Sequence, residues 1–252
     1  MATGTSWVGR TLLGAVGLFI FFGLWQLIGH YRLAGLSWPP LTSVIDMLTA
    51  ASHRPLFGRA IGATLSSTGM GYLFGACLGL VLAWATHLLP PMRRGGDRLA
   101  AVLNSVPSIA LGPIFLLVLS RDAAPAAVAS VHVFFIVYVS VTSGLASAST
   151  AHQDLFSVFG ARRFTRFRRL EMPSALPALA SGLRLSWPAA LIGAIIGEWF
   201  GAPRGLGILI INAMQNFQIV LLWCAVFLAV ITSLTFYGLL TGLERGIYGR
   251  FR

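Results

Sequence analysis

The residues whose types and spacing are most distinctive lie in one basic segment, residues 152–177, between two long apolar runs. Within it, Asp154 is followed six residues later by Gly160, sixteen later by Leu170 and nineteen later by Pro173. The chemistry that such a segment can supply is electrostatic, because arginines attract anionic groups and an acid suits the positive end of a helix. This spacing is the strongest functional signal in the sequence.

We predict a short helix over residues 153 to 163, because its apolar side chains fall on one side. This stripe consists of Leu155, Phe156, Val158 and Phe159. Gly160 is expected either to end the helix or to permit the close approach of another backbone. Arginines follow, and Pro173 and Pro177 are expected to stop helical continuation. From these residues alone, a loop helix lying on lipid head groups is as good an interpretation as a protein contact.

The spacing resembles the cytoplasmic loop of permease subunits in bacterial ATP-binding-cassette importers. The signature of that loop is Glu-Ala-Ala, three residues, Gly, nine residues, Ile, one residue and Leu-Pro. The matching positions here, with every spacing kept, are Asp154, Leu155, Phe156, Gly160, Leu170, Met172 and Pro173. Asp154 replaces Glu and keeps its charge, whereas Leu155 and Phe156 replace a pair of small alanines.

The resemblance implies that the segment contains a coupling helix, which docks on a separate ATPase subunit and carries its closure into the membrane. The contact residues that it implies are Asp154, Leu155, Phe156, Phe159, Gly160, Ala161, Leu170 and Pro173. It further implies an extracytoplasmic solute-binding protein and a second permease copy, most simply in a homodimer. This chain would bind no cofactor, since ATP and Mg would lie on the partner ATPase.

The spacing of Pro107 and Pro113 is similar to that in the nitrate, sulfonate and taurine branch of this family. That resemblance points to a small organic anion, such as a sulfonate or taurine, or to nitrate as the solute.

The composition is that of a polytopic membrane protein. Hydrophobic residues make up 56% of the 252 residues, charged residues only 10%, and the mean hydropathy is +0.80. A chain of this length can carry about six spans of roughly 20 residues, so we expect an all-α fold. All 18 residues counted as Lys or Arg are arginine, so the sequence has no phosphate-binding loop ending in Gly-Lys. The net charge of +11 is attributed to loops that face the cytoplasm, not to nucleic acid binding.

Apolar runs predict spans at about residues 12–31, 63–87, 99–120, 126–147, 181–200 and 219–240. We divide the chain into an N-terminal helix with an external connector (1–58), a five-span transmembrane domain (59–245) that includes the coupling loop (150–180), and a tail (246–252). In the connector, residues 41–48 could form an interfacial helix, but a plain connector is the favoured interpretation. Pro90 and Pro91, with the basic residues after them, are expected to separate the second and third spans.

Small residues recur at every fourth position of the second span and predict a close contact with another helix. They are Ser67, Gly71, Gly75, Gly79 and Ala83.

Candidates for the solute pathway or its gate are Asn104, Ser105, Pro107, Pro188 and Glu198. The third span is expected to break at residues 104–107 and again at Pro113, and a broken helix exposes backbone groups that must face protein or water. A proline kink satisfied by a neighbouring helix is an equal alternative. For Glu198, the favoured interpretation is a carboxylate that emerges at the interface beside Arg204.

The distribution of the arginines predicts how the chain is oriented in the membrane. An N-terminus inside the cell puts most of them on the cytoplasmic side and leaves Arg32, Arg54, Arg59, Arg121 and Arg204 outside. By the positive-inside rule, both termini and the central basic segment are therefore cytoplasmic. The resemblance to importer permeases implies that the membrane is a bacterial inner membrane.

Three other functions remain as alternatives. An ion-gradient transporter needs intramembrane acids or repeated broken helices, for which only Glu198 and the third span give a hint. The scaffold subunit of an energy-coupling vitamin importer carries an Ala-Arg-Gly signature to which residues 160–163 are faintly similar. A membrane enzyme has little support, because no metal-ligand spacing or nucleophile elbow occurs. The preserved Asp, Gly and Pro spacing argues against the vitamin-importer scaffold, and the sequence has no convincing repeat to support the ion-gradient transporter.

Overall fold

A computed structural model describes residues 7–250, and every regular element in that range is a helix. The helices are α1 (Trp7–His30), α2 (Leu41–Thr49), α3 (Arg54–Leu88), α4 (Pro90–Ser105), α5 (Ser108–Val118), α6 (Ala124–Ala146), α7 (Thr150–Val158), α8 (Arg163–Arg166), α9 (Met172–Glu198), α10 (Leu206–Gln215) and α11 (Ile219–Arg250). A π-helical turn (Phe167–Glu171) joins α8 to α9. Of the predicted tail, residues 251–252 lie outside the described residues.

The described helices include five stretches that are long and apolar enough to cross a membrane. They are Thr11–His30, Ala51–Leu88, Ala124–Ala146, Arg163–Glu198 and Ile219–Gly246. The pair α4 and α5, which meet at 98°, supplies a sixth if it counts as one span. The expectation of an all-α membrane protein with about six spans is therefore confirmed. The second and fifth spans begin well before residues 63 and 181, because the helical backbone continues through their polar ends.

The core is built around α6, which packs against α3 and α9. Val133 and Val137 of α6 are completely buried. A second cluster joins α2 and α3 to α10 and α11. The α9 and α11 helices are also held by an ion pair, in which Arg184 Nη1 lies 2.8 Å from Glu244 Oε2. These contacts fix the positions of α6 and α9, the two spans that the central basic segment connects.

The contact between α3 and α6 is close because α3 presents glycine there. A Cβ atom on Gly75 would overlap Ser130 O, and one on Gly79 would lie only 2.7 Å from Phe134 O. Gly71 and Ala83 are buried in the same line. Backbones can approach this closely only where side chains are absent or small.

Ser67 does not share this contact, so the predicted line is wrong at that position. It is partly exposed and lines an external cavity. The buried line continues through Thr68 and Thr64 instead. A helix has 3.6 residues per turn, so a strict four-residue spacing rotates away from a straight interface.

The connector after α1 contains a helix, so its favoured interpretation as a plain connector is wrong. The α2 helix buries Val44 against α11, where the Cys224 thiol donates to Val44 O at 3.5 Å. The Trp38 ring packs against Trp25 of α1 and Trp223 of α11, with centroids 4.3 and 5.0 Å away. These buried apolar contacts stabilise α2, which the local sequence alone does not specify.

Pro90 and Pro91 separate α3 from α4, as expected, whereas Pro113 does not interrupt its helix. Pro90 and Pro91 occupy the first turn of α4, where a missing N–H is tolerated, so the basic residues after them lie within α4. Pro113 lies inside α5, which continues to Val118. Pro113 follows Gly112, whose missing Cβ relieves the clash that proline imposes on the residue before it.

Candidate functional site

The central basic segment forms α7, a turn, α8 and the π-helical turn at the cytoplasmic end of the bundle. The helix predicted over 153 to 163 exists, but α7 begins at Thr150 and ends at Val158. Gln153 accounts for the earlier start, because its N–H donates to Ser149 O at 3.0 Å and its side-chain amide donates to Ala148 O at 2.9 Å. Only three residues separate α6 from α7, so a movement of α7 reaches α6 directly.

Gly160 ends α7. Its φ of +63° lies in the left-handed region, which glycine adopts most readily. The Gly160 N–H donates to Ser157 O at 3.0 Å, and the Ala161 N–H donates to Phe156 O at 2.9 Å. This pair of bonds is the Schellman motif of helix ends. A Cβ on Gly160 would meet no atom of this chain within 4 Å, so the glycine serves the backbone conformation and not a close approach within the chain.

The α7 helix presents an apolar surface at the cytoplasmic end. Leu155, Val158 and Phe159 are 51%, 83% and 78% exposed, whereas Phe156 is half-buried. Asp154 is exposed on the same helix. Large apolar side chains grouped on a surface outside the spans are typical of a protein contact.

Pro173 and Pro177 do not stop the helix, so this prediction is wrong. Residues Arg163–Glu198 form one continuous helical stretch. Pro173 lies in the first turn of α9, directly after the π-helical turn, in which the Met172 N–H bonds to Phe167 O. The wider turn leaves room for the proline ring. Leu170, another predicted contact residue, accepts a bond from the Ser174 hydroxyl at 2.8 Å.

Glu171 is a buried carboxylate that the motif analysis missed. It is 3% exposed, and its Oε2 accepts a hydrogen bond from His87 Nε2 at 2.7 Å. Its Oε1 lies 2.9 Å from Arg166 Nε in an ion pair. These contacts tie the basic segment to the cytoplasmic end of α3. A signal was present, because Glu171 is the single acidic residue between positions 154 and 198 and stands among arginines.

The predicted pathway residues Asn104, Ser105 and Pro107 lie at the 98° bend between α4 and α5. All three are exposed in the single chain. The Ser105 hydroxyl donates a hydrogen bond to Val102 O at 2.8 Å. The break in the third span is therefore located where the sequence places it, while a role of these residues in the pathway stays a prediction.

A hydrogen bond joins this bend to α6. His132 Nδ1 donates to Val128 O at 3.0 Å, so in the neutral ring Nε2 accepts from the Ser108 hydroxyl at 2.7 Å. Ser108 is the first residue of α5. Neither residue was singled out as a site from the sequence, because their partnership depends on the fold.

Glu198 does not emerge at the interface, so that interpretation is wrong. It is 1% exposed, and its Oε2 accepts hydrogen bonds from the Gly207 N–H at 2.7 Å and the Thr64 hydroxyl at 3.1 Å. Gly205 has a φ of +146° and lies so close that a Cβ would overlap the carboxyl group. The turn between α9 and α10 folds back over the end of α9 and buries the carboxylate. A gating role for Glu198 stays a prediction.

Pro188, the remaining pathway candidate, lies inside α9 without ending it and is partly exposed. Leu185 and Ile192, one helical turn before and after it, are 50% and 56% exposed. This side of α9 is therefore open in the single chain, whereas the opposite side packs on α6.

Three external arginines, Arg59, Arg121 and Arg204, line neighbouring cavities of about 320 and 380 Å³ at the outer end of the bundle. Arg59 and Arg204 border both cavities, and Asp122 is the acidic residue in their walls. Within residues 7–250, none of the three arginines forms an ion pair. The external mouth therefore carries an excess of positive charge.

Comparison with known proteins gives a family match over residues 75–252, to the model described as "Binding-protein-dependent transport system inner membrane component". The formylaminopyrimidine transport permease protein ThiX of Halalkalibacterium halodurans is 32% identical over 203 residues, covering 79% of this chain and 81% of the relative. The putative aliphatic sulfonates transport permease protein SsuC of Bacillus subtilis is 26% identical, covering 84% and 76%. The nitrate import permease protein NrtB of Leptolyngbya laminosa is 24% identical, covering 83% and 77%.

Among solved structures, an inward-facing conformation of the MetNI methionine ABC transporter contains a chain similar to this one. The TM-score is 0.71 at 18% sequence identity, and the match covers 79% of this chain and 99% of that chain. This likeness establishes a shared fold.

Proposed function

This chain belongs to the family of binding-protein-dependent transport system inner membrane components, and on that premise we propose that α7 is the surface through which an ATPase subunit drives it. In this proposal two copies form the pathway and two ATPase subunits, which carry ATP and Mg, bind beneath them. An extracytoplasmic solute-binding protein delivers the solute. The observation that carries the proposal is the exposed apolar surface of α7, which a partner protein would cover.

The mechanism uses the connections of α7 at both ends. When ATP binding closes the ATPase subunits, α7 moves with them. The short link before α7 passes the movement to α6, and the continuous helix from α8 passes it to α9. Because α6 is the centre of the bundle, the spans then switch access from one side of the membrane to the other.

Replacement of Gly160 by arginine tests this contact. Arginine at a φ of +63° is strained by about 1–2 kcal/mol, and it adds bulk and charge at the end of α7. We expect the tagged wild type, purified in mild detergent, to bring with it a P-loop ATPase that the Gly160→Arg variant loses. Gly95→Arg is the matched control, since Gly95 also lies on the cytoplasmic side in open space, within α4.

Retention of the ATPase and of full ATP-driven uptake by Gly160→Arg would overturn the proposal for α7. If the wild type itself brings no ATPase under conditions that preserve such complexes, an ion-driven transporter becomes the better interpretation. Uptake is then measured against a proton or a sodium gradient.

We propose a small organic anion such as a sulfonate or taurine, or nitrate, as the solute. Arg59, Arg121 and Arg204 at the external mouth, which form no ion pair within the described residues, support this class, because a cavity lined by one sign of charge attracts the other. The named solutes of the relatives SsuC and NrtB support it as well. A formylaminopyrimidine is the second candidate, favoured by the 32% identity to ThiX.

A further inference from the structure

The joint between the cytoplasmic segment and α3 is built on Glu171. Its carboxylate contacts His87 at the end of α3 and Arg166 at the end of α8, at 2.7 and 2.9 Å. Water reaches only 3% of the residue surface. A buried carboxylate is held tightly by such partners, because no solvent competes for it.

A second contact runs in parallel with the first. Arg163, at the start of α8, donates through Nη2 to His87 O at 2.6 Å. The imidazole and the carbonyl of His87 are therefore both held by the segment that follows α7. The end of α3 is distant from that segment along the chain, so these bonds, together with the packing of Phe167 on His87 and Trp84, connect the two.

The backbone at the joint departs from regular α-helix. Glu171 is the last residue of the π-helical turn, and Phe167, its first residue, is 6% exposed against His87 and Trp84, with ring centroids 5.9 and 6.3 Å away. Single π-helical turns occur often at functional positions. Here the turn sets the direction in which α8 leaves the spanning helix.

A cavity of about 400 Å³ adjoins the joint, bordered by Glu171 and Arg166, by Gln153 of α7 and by Thr142 of α6. Thr86 and His87 of α3 border the same cavity, so it is a space shared by α3, α6, α7 and α8. This space gives α7 and α8 room to move relative to α6.

We infer that Glu171 is a positioning residue that makes α3 follow the movement of α7 and α8 during the ATP cycle. This inference rests on the proposed drive of α7 by an ATPase. When the carboxylate is in place, a displacement of α8 pulls on His87 and so on α3. Without its charge the pull is weaker, so α3 follows the movement of α7 and α8 less than in the parent protein.

The experiment measures the distance between two spin labels, one at the same position of each copy in the homodimer. Two positions are labelled, in separate samples, and Cys77 and Cys224 are replaced by serine in both. One label is placed at Ser157→Cys on the polar face of α7, the other at Leu89→Cys after α3, which is 53% exposed. Distances are measured in the complex with its ATPase, before and after trapping with ATP and vanadate. In the parent protein both distances are expected to change.

In Glu171→Gln the change at position 157 is expected to persist and the change at position 89 to become smaller, with ATP hydrolysis retained; the bond from Arg163 to His87 O accounts for the part that remains. Arg166→Gln is expected to act in the same direction, and Arg166→Lys to restore the change, since it keeps the charge. Arg169→Gln is the matched control, because Arg169 is exposed and forms no ion pair within residues 7–250.

An unchanged distance shift at position 89 in Glu171→Gln and Arg166→Gln would overturn the inference. A proportional loss at both positions would do the same, because it would indicate a general loss of structure. If Glu171→Gln does not assemble, the two Arg166 variants decide, since they leave the bond from His87 to Glu171 in place. If position 157 of the parent protein does not respond to ATP, the proposed function itself fails.

Discussion

Thr64 of α3 connects three helices, α3, α9 and α10, through hydrogen bonds on the external side of the bundle. Its hydroxyl donates to Glu198 at the end of α9 and accepts from the Leu206 N–H at the start of α10 at 2.7 Å. Thr64 and Glu198 together accept from the N–H groups of Leu206 and Gly207, two of those that the first turn of α10 leaves without a helical partner. In a buried site such groups have no water to bond instead.

Thr64→Val is expected to lower the free energy of unfolding by about 1–3 kcal/mol, because it leaves the buried Leu206 N–H without an acceptor and removes one of the two donors to the Glu198 carboxylate. The midpoint of thermal unfolding in mild detergent measures the change. Thr68→Val is the matched control: Thr68 is also completely buried on α3, but its hydroxyl has no hydrogen-bond partner within the described residues. The control is expected to be unchanged or slightly more stable. Equal losses in both variants would mean that the bonds of Thr64 contribute nothing.

Individual residues differ in how far they could be predicted. The end of α7 at Gly160 follows from local geometry, since a Schellman motif involves only neighbouring residues. The partners of Glu198 and Glu171 do not, because Thr64 and His87 are 134 and 84 positions away along the chain. The sequence shows that an acid lies in an apolar or basic run, but not which group meets it.

Among the elements, α3 and α6 depend most on the absence of side chains. Gly75 faces Ser130 O and Val133 Cβ across the contact. In lipid, helices gain little from the hydrophobic effect on association, so close packing and van der Waals contact hold them together. A single methyl group at the contact is therefore expected to push the two helices apart.

Gly75→Ala is expected to destabilise the protein by about 1–3 kcal/mol, the usual range for overpacking. Gly69→Ala is the matched control on the same helix, since a Cβ there meets no atom within 4 Å and alanine is the better helix former. Thermal unfolding in detergent measures both variants. An equally stable Gly75→Ala protein would show that α3 can shift to accommodate the methyl group.

Apolar runs predict which segments cross the membrane, because a span needs about 20 apolar residues whatever its neighbours are. They do not predict the continuity of α8 with α9 or the helix α2. Pro173 is accommodated by a π-helical turn, and α2 is stabilised by Val44 packed on α11. Both depend on tertiary contacts, which override local preferences.

At the scale of the whole molecule, charge is distributed unequally between the two ends. Most arginines lie at the cytoplasmic end, yet Arg59, Arg121 and Arg204 share one pair of cavities at the external end. The positive-inside rule disfavours arginines there, so their grouping calls for a function. The positive charge of these arginines would attract an anion that is released at the external mouth.

Combined replacement of Arg59, Arg121 and Arg204 by glutamine is expected to lower the rate of uptake of an anionic solute by about tenfold at low ionic strength and by less at high salt. Arg54→Gln is the control, since Arg54 is external but does not line these cavities. Uptake of nitrate, taurine and a formylaminopyrimidine into vesicles that contain the complete transporter measures the effect.

Transport of the formylaminopyrimidine alone, at a rate that the arginines do not affect, would favour the second candidate solute. If the triple variant instead weakens the docking of the solute-binding protein, the arginines serve that protein and not the anion.

The docking of the N-terminal helices also sets an order of assembly during synthesis. The Trp223 ring donates through Nε1 to Ser37 O at 3.0 Å, across 186 positions of the chain, and the same ring packs on Trp25. A ribosome adds about 5–20 residues per second, so α1 waits in the membrane for roughly 10–40 s before its partner helix is made. During that time the insertion machinery, or lipid alone, must shield the indole rings that later close the bundle.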